Sequence, residues 1–500
     1  MFLLDKLEHY AGTDRIALLY RDQAVSYRTL HRQAEAFAAY LLDAFGDSDA
    51  PVLIYGHKDL LIPACMFGAL KAGHSYIPVD TTFPRERVAD IIEQAAPCLT
   101  VNLTETALAS APMIDGGALE RILREYDGRF DGVNRVTDAQ TVYMLFTSGT
   151  TGRPKGVQIT AKNIAAFEKG VAPWFDCGLT EGVFLNEISY SFDVSVCALY
   201  YALSRGFTLY TLDKQTLNDP KALFTALRAS NLNFWISTPS LAELCIRSEQ
   251  FCETLLPETK KFVLCGEVFT KKLAKEMLSR FPHAEILNAY GPTEATVLVT
   301  VAKIDETLCN DARSIPIGYP FSTLRAVIAA PDGTALPEGQ EGELQIIGDC
   351  VSIGYLNRPE LNERAFFTDA QTNQRGYRTG DLCRMENGMI YYLGRMDGQV
   401  KLNGFRVELE DVENNLAHVE NIARAAVVPV CEDGKTVALT AFVTLQQPDG
   451  LSSLARAKKI KAALAEAIPS YMVPRKIVAI DAFPLNTNGK IDKKALSALA

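Results

Sequence analysis

Short apolar runs rich in β-branched and aromatic residues alternate with amphipathic segments of helix length through the middle of this 500-residue chain, and that alternation restricts its fold more than any other feature. VLIYG (52–56) is followed by a helix-like stretch to Lys71 and then by SYIPVD (75–80). NFWIST (233–238) leads into LAELCIRS (241–248), KFVLCGEV (261–268) into KKLAKEMLSRF (271–281), and AEILNAYG (284–291) follows. A strand–helix rhythm of this kind builds parallel sheets covered by helices, whose ligands sit beyond the C-terminal ends of the strands. Near Gly394 the texture changes to a turn-rich link, followed by ALTAFVTL (438–445), an amphipathic helix from about Leu454 to Ile468, and KIVAIDAF (476–483). The expected architecture is α/β: a large N-terminal domain, residues 1–397, with helix-flanked, mostly parallel sheets, and a small mobile α+β domain, residues 398–500, with the hinge at Asp397 and Gly398.

Composition removes several classes. With 48% hydrophobic and 22% charged residues the chain suits a multidomain globular protein and not a disordered one. The opening MFLLDKLEHY carries Asp5 and Glu8 and lacks the basic start and long apolar run of a secretion signal, and no stretch approaches a membrane span, so a cytoplasmic location is expected. Eleven cysteines without a CxxC pair read as reduced thiols, and no Cys/His pattern supports a metal site. A net charge of −10 argues against a nucleic-acid partner. From Gly398 onward, however, thirteen Lys/Arg face eleven Asp/Glu, against 37 and 49 before it. The C-terminal part is thus slightly basic on an acidic body, which is either a docking surface or an ordinary solvated face.

Chemistry first shows in TSGTTGRPKG (147–156), directly after the strand-like TVYMLF. Thr147, Ser148, Thr150 and Thr151 are interleaved with Gly149 and Gly152, and Lys155 follows. Glycines let backbone N–H groups converge on an anion, hydroxyls add donors, and the lysine offsets phosphate charge, so a nucleoside triphosphate is the natural ligand. The loop is not a P-loop: its glycines are separated by two residues, and Lys155 precedes Gly156 instead of Ser or Thr.

The ten-residue loop resembles the signature of the adenylate-forming superfamily of peptide-synthetase adenylation domains, acyl-CoA synthetases and luciferases. Six further segments match in order: KAGHSYIPVD (71–80), SFDVS (191–195), NAYGPTEAT (288–296), YRTGD (377–381), GRMDGQVKLNGFRVE (394–408) and NTNGKIDK (486–493). The resemblance implies ATP and Mg²⁺ as cofactors. It implies ATP contacts from the phosphate loop and from Asn288, Ala289, Tyr290, Gly291, Pro292 and Thr293, with Tyr290 offering a flat ring to adenine and Glu294 a hard oxygen to Mg²⁺. Asp381 is expected to accept hydrogen bonds from ribose, and Tyr392, Leu393, Gly394 and Arg395 to form the hinge-side nucleotide contact. Lys490, in an Asn/Gly-rich turn, is the implied catalytic residue, touching both ATP and the substrate acid. Two unit negative charges 4 Å apart repel by roughly 4 kcal/mol at an effective dielectric of 20, and a cation bridging carboxylate and α-phosphate removes that cost as charge moves to pyrophosphate.

Asp193 in SFDVS stands where adenylation domains for amino acids carry the aspartate that holds the α-ammonium group. Within the superfamily, YGHKDLLIP from Tyr55, FLNEISYSFDVS from Phe184, STPSLAELC from Ser237 and FVLCGEVF from Phe262 are similar to the D-alanine–D-alanyl carrier protein ligase family. That likeness implies D-alanine as substrate, with Cys265 beside its α-carbon and Val297 as another contact; for Cys265 an ordinary buried thiol on a core strand is the alternative. It implies two half-reactions, D-alanyl-AMP formation and transfer to a phosphopantetheine thiol, with rotation about Asp397 exchanging Lys490 for the 398–408 segment. The chain is expected to act as a cytoplasmic monomer in D-alanylation of teichoic acids. No pantetheine-attachment motif is present, so the carrier is expected in trans, with Lys458, Lys459 and Lys461 as a candidate dock for an acidic partner. The alternatives are a free-standing adenylating enzyme for L-alanine or glycine, an acyl-CoA synthetase, which Asp193 disfavours, and a non-catalytic nucleotide-binding protein.

Overall fold

The strand–helix rhythm folds into two sheets with parallel cores in the computed structural model, which describes residues 2–46, 48–109, 112–149, 153–484 and 491–500. The first sheet has nine strands. Its parallel core runs Glu285–Tyr290, Lys261–Cys265, Phe234–Ser237, Val183–Asn186, Thr208–Thr211 and Ile16–Tyr20, with antiparallel strands at both edges. The second has seven, with Thr141–Thr147, Tyr76–Val79, Val52–Tyr55, Leu99–Asn102 and Met113–Asp115 parallel. Almost every residue of the central strands is buried, as parallel sheets covered on both faces require.

One apolar cluster joins the two sheets. It draws Ile54, Tyr76 and Tyr143 from the second sheet, Phe184, Phe234 and Val263 from the first, and side chains of helices Tyr27–Phe45, Ile62–Ala72 and Ala161–Phe175. Helix Ile62–Ala72, IPACMFGALKA, is apolar all round except for Lys71, and every one of its residues is buried, which marks it as a central helix and not a surface one. Buried Lys71 reaches Glu35 at 3.4 Å.

A third sheet departs from the mostly parallel expectation. Leu324–Ala329, Glu341–Gly348, Arg375–Glu386, Phe366–Thr368 and Met389–Arg395 form five wholly antiparallel strands. Arg375–Glu386 and Met389–Arg395 are joined by the two-residue Asn387–Gly388 turn, with φ of +52° and +74°, and a connection of this kind permits only antiparallel neighbours.

Beyond Arg395 the chain builds its own cores. A two-stranded hairpin, Gln399–Leu402 with Phe405–Glu408, precedes helix Leu409–Ala417 and a three-stranded sheet of Ile422–Glu432, Lys435–Leu445 and Lys476–Ala479. The amphipathic helix expected from Leu454 is Ser453–Ala467, capped by Ser452, whose Oγ accepts from the Ala455 N–H; Ile460 and Leu464 are buried. The two apolar clusters here contain no residue before Val400. All eleven cysteines are free and seven are buried.

The packing of helices Tyr27–Phe45 and Ile62–Ala72 depends on Gly68. A Cβ there would lie 2.6 Å from the Ala34 carbonyl oxygen and 3.0 Å from Phe37, so the helices approach at a distance only glycine allows. Gly68→Val should force them apart at a cost of about 1–3 kcal/mol, read as a lower denaturant midpoint of the first 395 residues' unfolding transition; an unchanged midpoint would contradict this packing.

Candidate active site

The C-terminal ends of the parallel strands in both sheets point into one cleft. Thr147 and Ser148 close strand Thr141–Thr147, Asp193 follows Val183–Asn186, Thr238 follows Phe234–Ser237, Cys265 ends Lys261–Cys265, and Tyr290 to Thr293 end Glu285–Tyr290. All of them line a single cavity, together with Val297, Asp381 and Arg395 from later in the chain. This is the place that sheet topology reserves for ligands.

At one end of the cavity Asp193 accepts a 2.6 Å hydrogen bond from the Thr293 hydroxyl, and burial raises its carboxyl pKa above the ordinary range. Cys265 and Val297 are buried and supply apolar wall beside it. Thr296 and Val297 both adopt positive φ, +60° and +72°, which for β-branched residues costs on the order of 1–3 kcal/mol each. The surroundings hold them there: the Thr296 hydroxyl donates to the Cys350 carbonyl at 2.6 Å, and the Val299 N–H to the Tyr290 carbonyl at 2.8 Å.

At the other end Asp381 accepts from the Tyr290 hydroxyl and, at 2.9 Å, from Arg395 Nη1. Arg395 also pairs with Asp397, through Nε at 2.9 Å, so one guanidinium ties the cavity wall to the residue read as the hinge. The Lys401 ammonium stands 5.5 Å from the Tyr290 ring centroid. Of the other residues read as nucleotide contacts, several lie off the cavity lining. Asn288 donates to the Pro316 carbonyl at 2.7 Å, Ala289 is buried in its strand, Tyr392 packs on the main core, Leu393 is 39% exposed, and Gly394 has a φ of +145°. Thr150, Thr151, Gly152 and Lys490 lie outside the described residues.

The phosphate loop meets the C-terminal unit. Ser148 Oγ donates to the Arg406 carbonyl at 3.0 Å and accepts from the Glu408 N–H at 3.2 Å. The Lys155 ammonium lies 3.4 Å from Glu408, and the Gly149 N–H hydrogen-bonds Asp411, whose carboxylate also pairs with Arg87 at 3.3 Å. Two carboxylates thus stand where the loop's donors would meet phosphate oxygens.

Glu294, the residue read as the metal ligand, is completely buried. Both its oxygens accept from Arg406 Nη1, at 2.9 and 2.7 Å, and Oε1 also accepts from the Tyr355 hydroxyl at 2.7 Å. Burial pushes its carboxyl up, but Arg406 and Lys155 outweigh that and hold it down at about 2. Among the described residues no group of three or more His, Cys, Asp or Glu side chains could cage a metal. A single hard carboxylate suits Mg²⁺, which takes most of its ligands from water and nucleotide phosphates, provided that Arg406 has withdrawn.

Sequence reasoning did not single out several of the cavity's walls. Gly404 has a φ of +83°, and a Cβ there would lie 2.4 Å from Thr238 Cγ2. Phe405 stacks on Tyr471, with centroids 3.9 Å apart and planes 10° apart, and meets Phe192 at 4.8 Å. His57, on the same cavity, bonds through Nδ1 to Asp80 at 2.7 Å; Asp80 also accepts from Ser189 at 2.6 Å and from Lys214 at 2.7 Å. Gly404, Phe405 and Arg406 fall in the 394–408 segment and His57 in YGHKDLLIP, so the signal was present as motif and lacked only the knowledge of what it packs against. Of the three lysines read as a carrier dock, Lys458 and Lys459 are exposed, with Lys459 2.9 Å from Glu420, and Lys461 donates to the Arg475 carbonyl at 2.6 Å.

A cleft at the strand ends, walled by a hydroxyl- and glycine-rich loop and closed by a separate C-terminal unit, defines a nucleotide-dependent enzyme of the adenylating class. Residues 7–356 match the AMP-binding enzyme family and residues 411–490 the AMP-binding enzyme C-terminal domain. The chain belongs to the AMP-binding enzyme family. It is 38% identical to D-alanine–D-alanyl carrier protein ligase from Bacillus cytotoxicus, and also 38% identical to that from Bacillus cereus, over 99% of this chain and 99% of each relative. Its fold superposes on a double mutant of o-succinylbenzoate CoA synthetase from Bacillus subtilis with a TM-score of 0.85 at 19% identity, covering 99% of this chain and 98% of that one.

Removing the cation from a buried ion pair is expensive because the carboxylate is left behind. Arg406→Met should therefore weaken the hold on the 399–408 hairpin by about 3–5 kcal/mol, read as faster amide hydrogen exchange across these residues. Unchanged protection would show that Glu294 does not anchor the hairpin.

Proposed function

We propose that the chain activates D-alanine with ATP and passes the D-alanyl group, by way of an enzyme-bound D-alanyl-AMP, to the phosphopantetheine thiol of a carrier protein supplied in trans. The observation that carries this reading is the buried Asp193 carboxylate set against the apolar wall of Cys265 and Val297. A carboxylate whose burial disfavours its charge gains most from an ammonium partner, and the adjoining wall suits a small apolar side chain. The full-length likeness to the Bacillus ligases supports the same substrate and acceptor.

In this reading residues 1–397 and 398–500 are two bodies hinged at Asp397. In the first step a substrate carboxylate oxygen attacks the α-phosphorus of ATP and pyrophosphate leaves. The phosphate loop and Thr293 hold the phosphates, Asp381 the ribose and Tyr290 the adenine, while Lys490 bridges the reacting anions. Glu294 holds Mg²⁺, which when bound offsets charge on the phosphates. In the second step the thiol sulfur attacks the acyl carbon, AMP leaves and the thiol proton is released. The arrangement in hand fits that second step: the 399–408 hairpin is at the cavity, and Glu408 and Asp411 stand against the phosphate loop. Gly404 lets the hairpin pack directly against Thr238, where a Cβ would clash.

No described helix is long and apolar enough to cross a membrane. We place the enzyme in the cytoplasm, acting as a monomer at the start of teichoic acid D-alanylation.

Amino-acid-dependent exchange of pyrophosphate into ATP, measured with D-alanine, L-alanine, glycine and serine, tests the substrate: D-alanine should give the highest kcat/KM. A preference for glycine or L-alanine would instead indicate a peptide-synthetase type of adenylating enzyme. Because burial raises the Asp193 pKa, its charged form is present at high pH and is lost on acidification earlier than for an ordinary carboxylate. KM for the amino acid should therefore rise as pH falls toward that pKa, and Asp193→Asn should raise KM most at high pH, where the wild-type carboxylate is charged, and abolish this dependence. Lys490→Ala should abolish exchange yet spare thioester formation from supplied D-alanyl-AMP; equal loss of both steps would refute the division of labour between the two arrangements.

A further inference from the structure

Outside the cavity, one lysine of the C-terminal unit is gripped by the first 395 residues. Lys435 begins strand Lys435–Leu445, directly after the Asp433–Gly434 turn, whose residues both have positive φ. Its Nζ lies 2.9 Å from Ser240 Oγ, 2.8 Å from Glu243 Oε2 and 3.0 Å from Glu267 Oε2. The ammonium side chain is 9% exposed and that of Glu267 1%. Glu267 also accepts from the Ser240 N–H at 3.0 Å and from its hydroxyl at 2.8 and 2.7 Å, so Glu267 and Ser240 hold each other in place whether or not the lysine is there.

The location of these acceptors links them to the site. Glu267 lies two residues after Cys265, and helix Pro239–Ile246, which carries Ser240 and Glu243, starts next to Thr238, where Gly404 enters. None of Lys435, Ser240, Glu243 or Glu267 lines the cavity itself. Burial works against the charged lysine, but Glu267 and Glu243 overcome it and hold its pKa above the ordinary range. Without the lysine, two carboxylates converge on one point, and any arrangement that takes the 399–408 hairpin away from the cavity and swings the C-terminal unit around Asp397 separates the ammonium from both.

We propose that Lys435 is a positioning residue that selects the thioester-forming arrangement, by inserting its ammonium, presented just after the Asp433–Gly434 turn, between Glu243 and Glu267 and so seating the hairpin against Thr238. The proposal rests on the two-step reading above. It assigns the lysine no contact with substrate or nucleotide, and its effect falls on the second half-reaction.

Three measurements on the full-length enzyme test it. Lys435→Glu should lower D-alanyl transfer to a phosphopantetheinylated carrier by about tenfold or more relative to amino-acid-dependent pyrophosphate exchange. It should also speed amide hydrogen exchange across 399–408, a readout that needs no substrate. The charge-swapped double variant, Lys435→Glu with Glu243→Lys, should recover most of both losses, which separates an ion-pair role from general damage to the fold. Equal changes in transfer and exchange, unchanged hairpin protection, or failure of the swap to rescue would each overturn the proposal. If the parent enzyme shows no exchange with D-alanine, the substrate assignment fails, while hairpin protection in the two variants still decides the role of Lys435.

Discussion

A carboxylate with no exposed surface, Glu294, organises this molecule around its need for a cation. An unpaired charge at that depth is untenable, so Glu294 must always be close to a positive group. Here the group is Arg406, delivered by a hairpin that belongs to the C-terminal unit and not to the sheets that bury the carboxylate. The relation between the two units is thus written into the electrostatics of one residue. Lys155, on the same body as Glu294, is the second cation near it, and together with Arg406 it keeps the buried carboxylate charged.

The same reliance on the C-terminal unit recurs along the phosphate loop. Ser148, Gly149 and Lys155 are donors selected for anions, and in this arrangement they are satisfied by the Arg406 carbonyl, Asp411 and Glu408. Three donors of the loop are therefore satisfied by the C-terminal unit when the hairpin is seated, while the neighbouring Thr147 hydroxyl is buried without a partner. Arg395, shared between Asp381 in the cavity and Asp397 at the link, ties one end of the cavity to the start of the C-terminal unit.

Much of the fold was legible because it depends on local pattern. The parallel strands Phe234–Ser237, Lys261–Cys265 and Glu285–Tyr290 appear where apolar runs of β-branched and aromatic residues predict them, and helix Ser453–Ala467 lies within a residue of the periodicity that announced it. The antiparallel third sheet was missed because strands such as Leu324–Ala329 are only partly buried and carry no long apolar run, and only one of its connections is a two-residue turn. At the site, single residues with a chemical task were readable: Asp193, Cys265, Val297 and Asp381 do share one cavity. The pairs were not. Nothing in the local sequence of Arg406 says that it will meet Glu294, 112 residues away, because that contact is set by how two separately cored units dock.

Docking of this kind also explains why the conspicuous charge of the C-terminal unit says little about its partners. Its basic excess is small, and three of its cations have assignments within the chain: Arg406 on Glu294, Lys435 between Glu243 and Glu267, and Lys459 on Glu420. The first two are mostly buried and face acidic residues of the larger body, so complementarity of charge operates first between the enzyme's own halves. Lys458 and Lys459 are exposed on the outer helix, where any ion pair, such as that of Lys459 with Glu420, is screened by salt and modest in energy. Strong, desolvated pairs therefore set how the two units sit together, and the weak, screened ones of the outer helix add little to that arrangement.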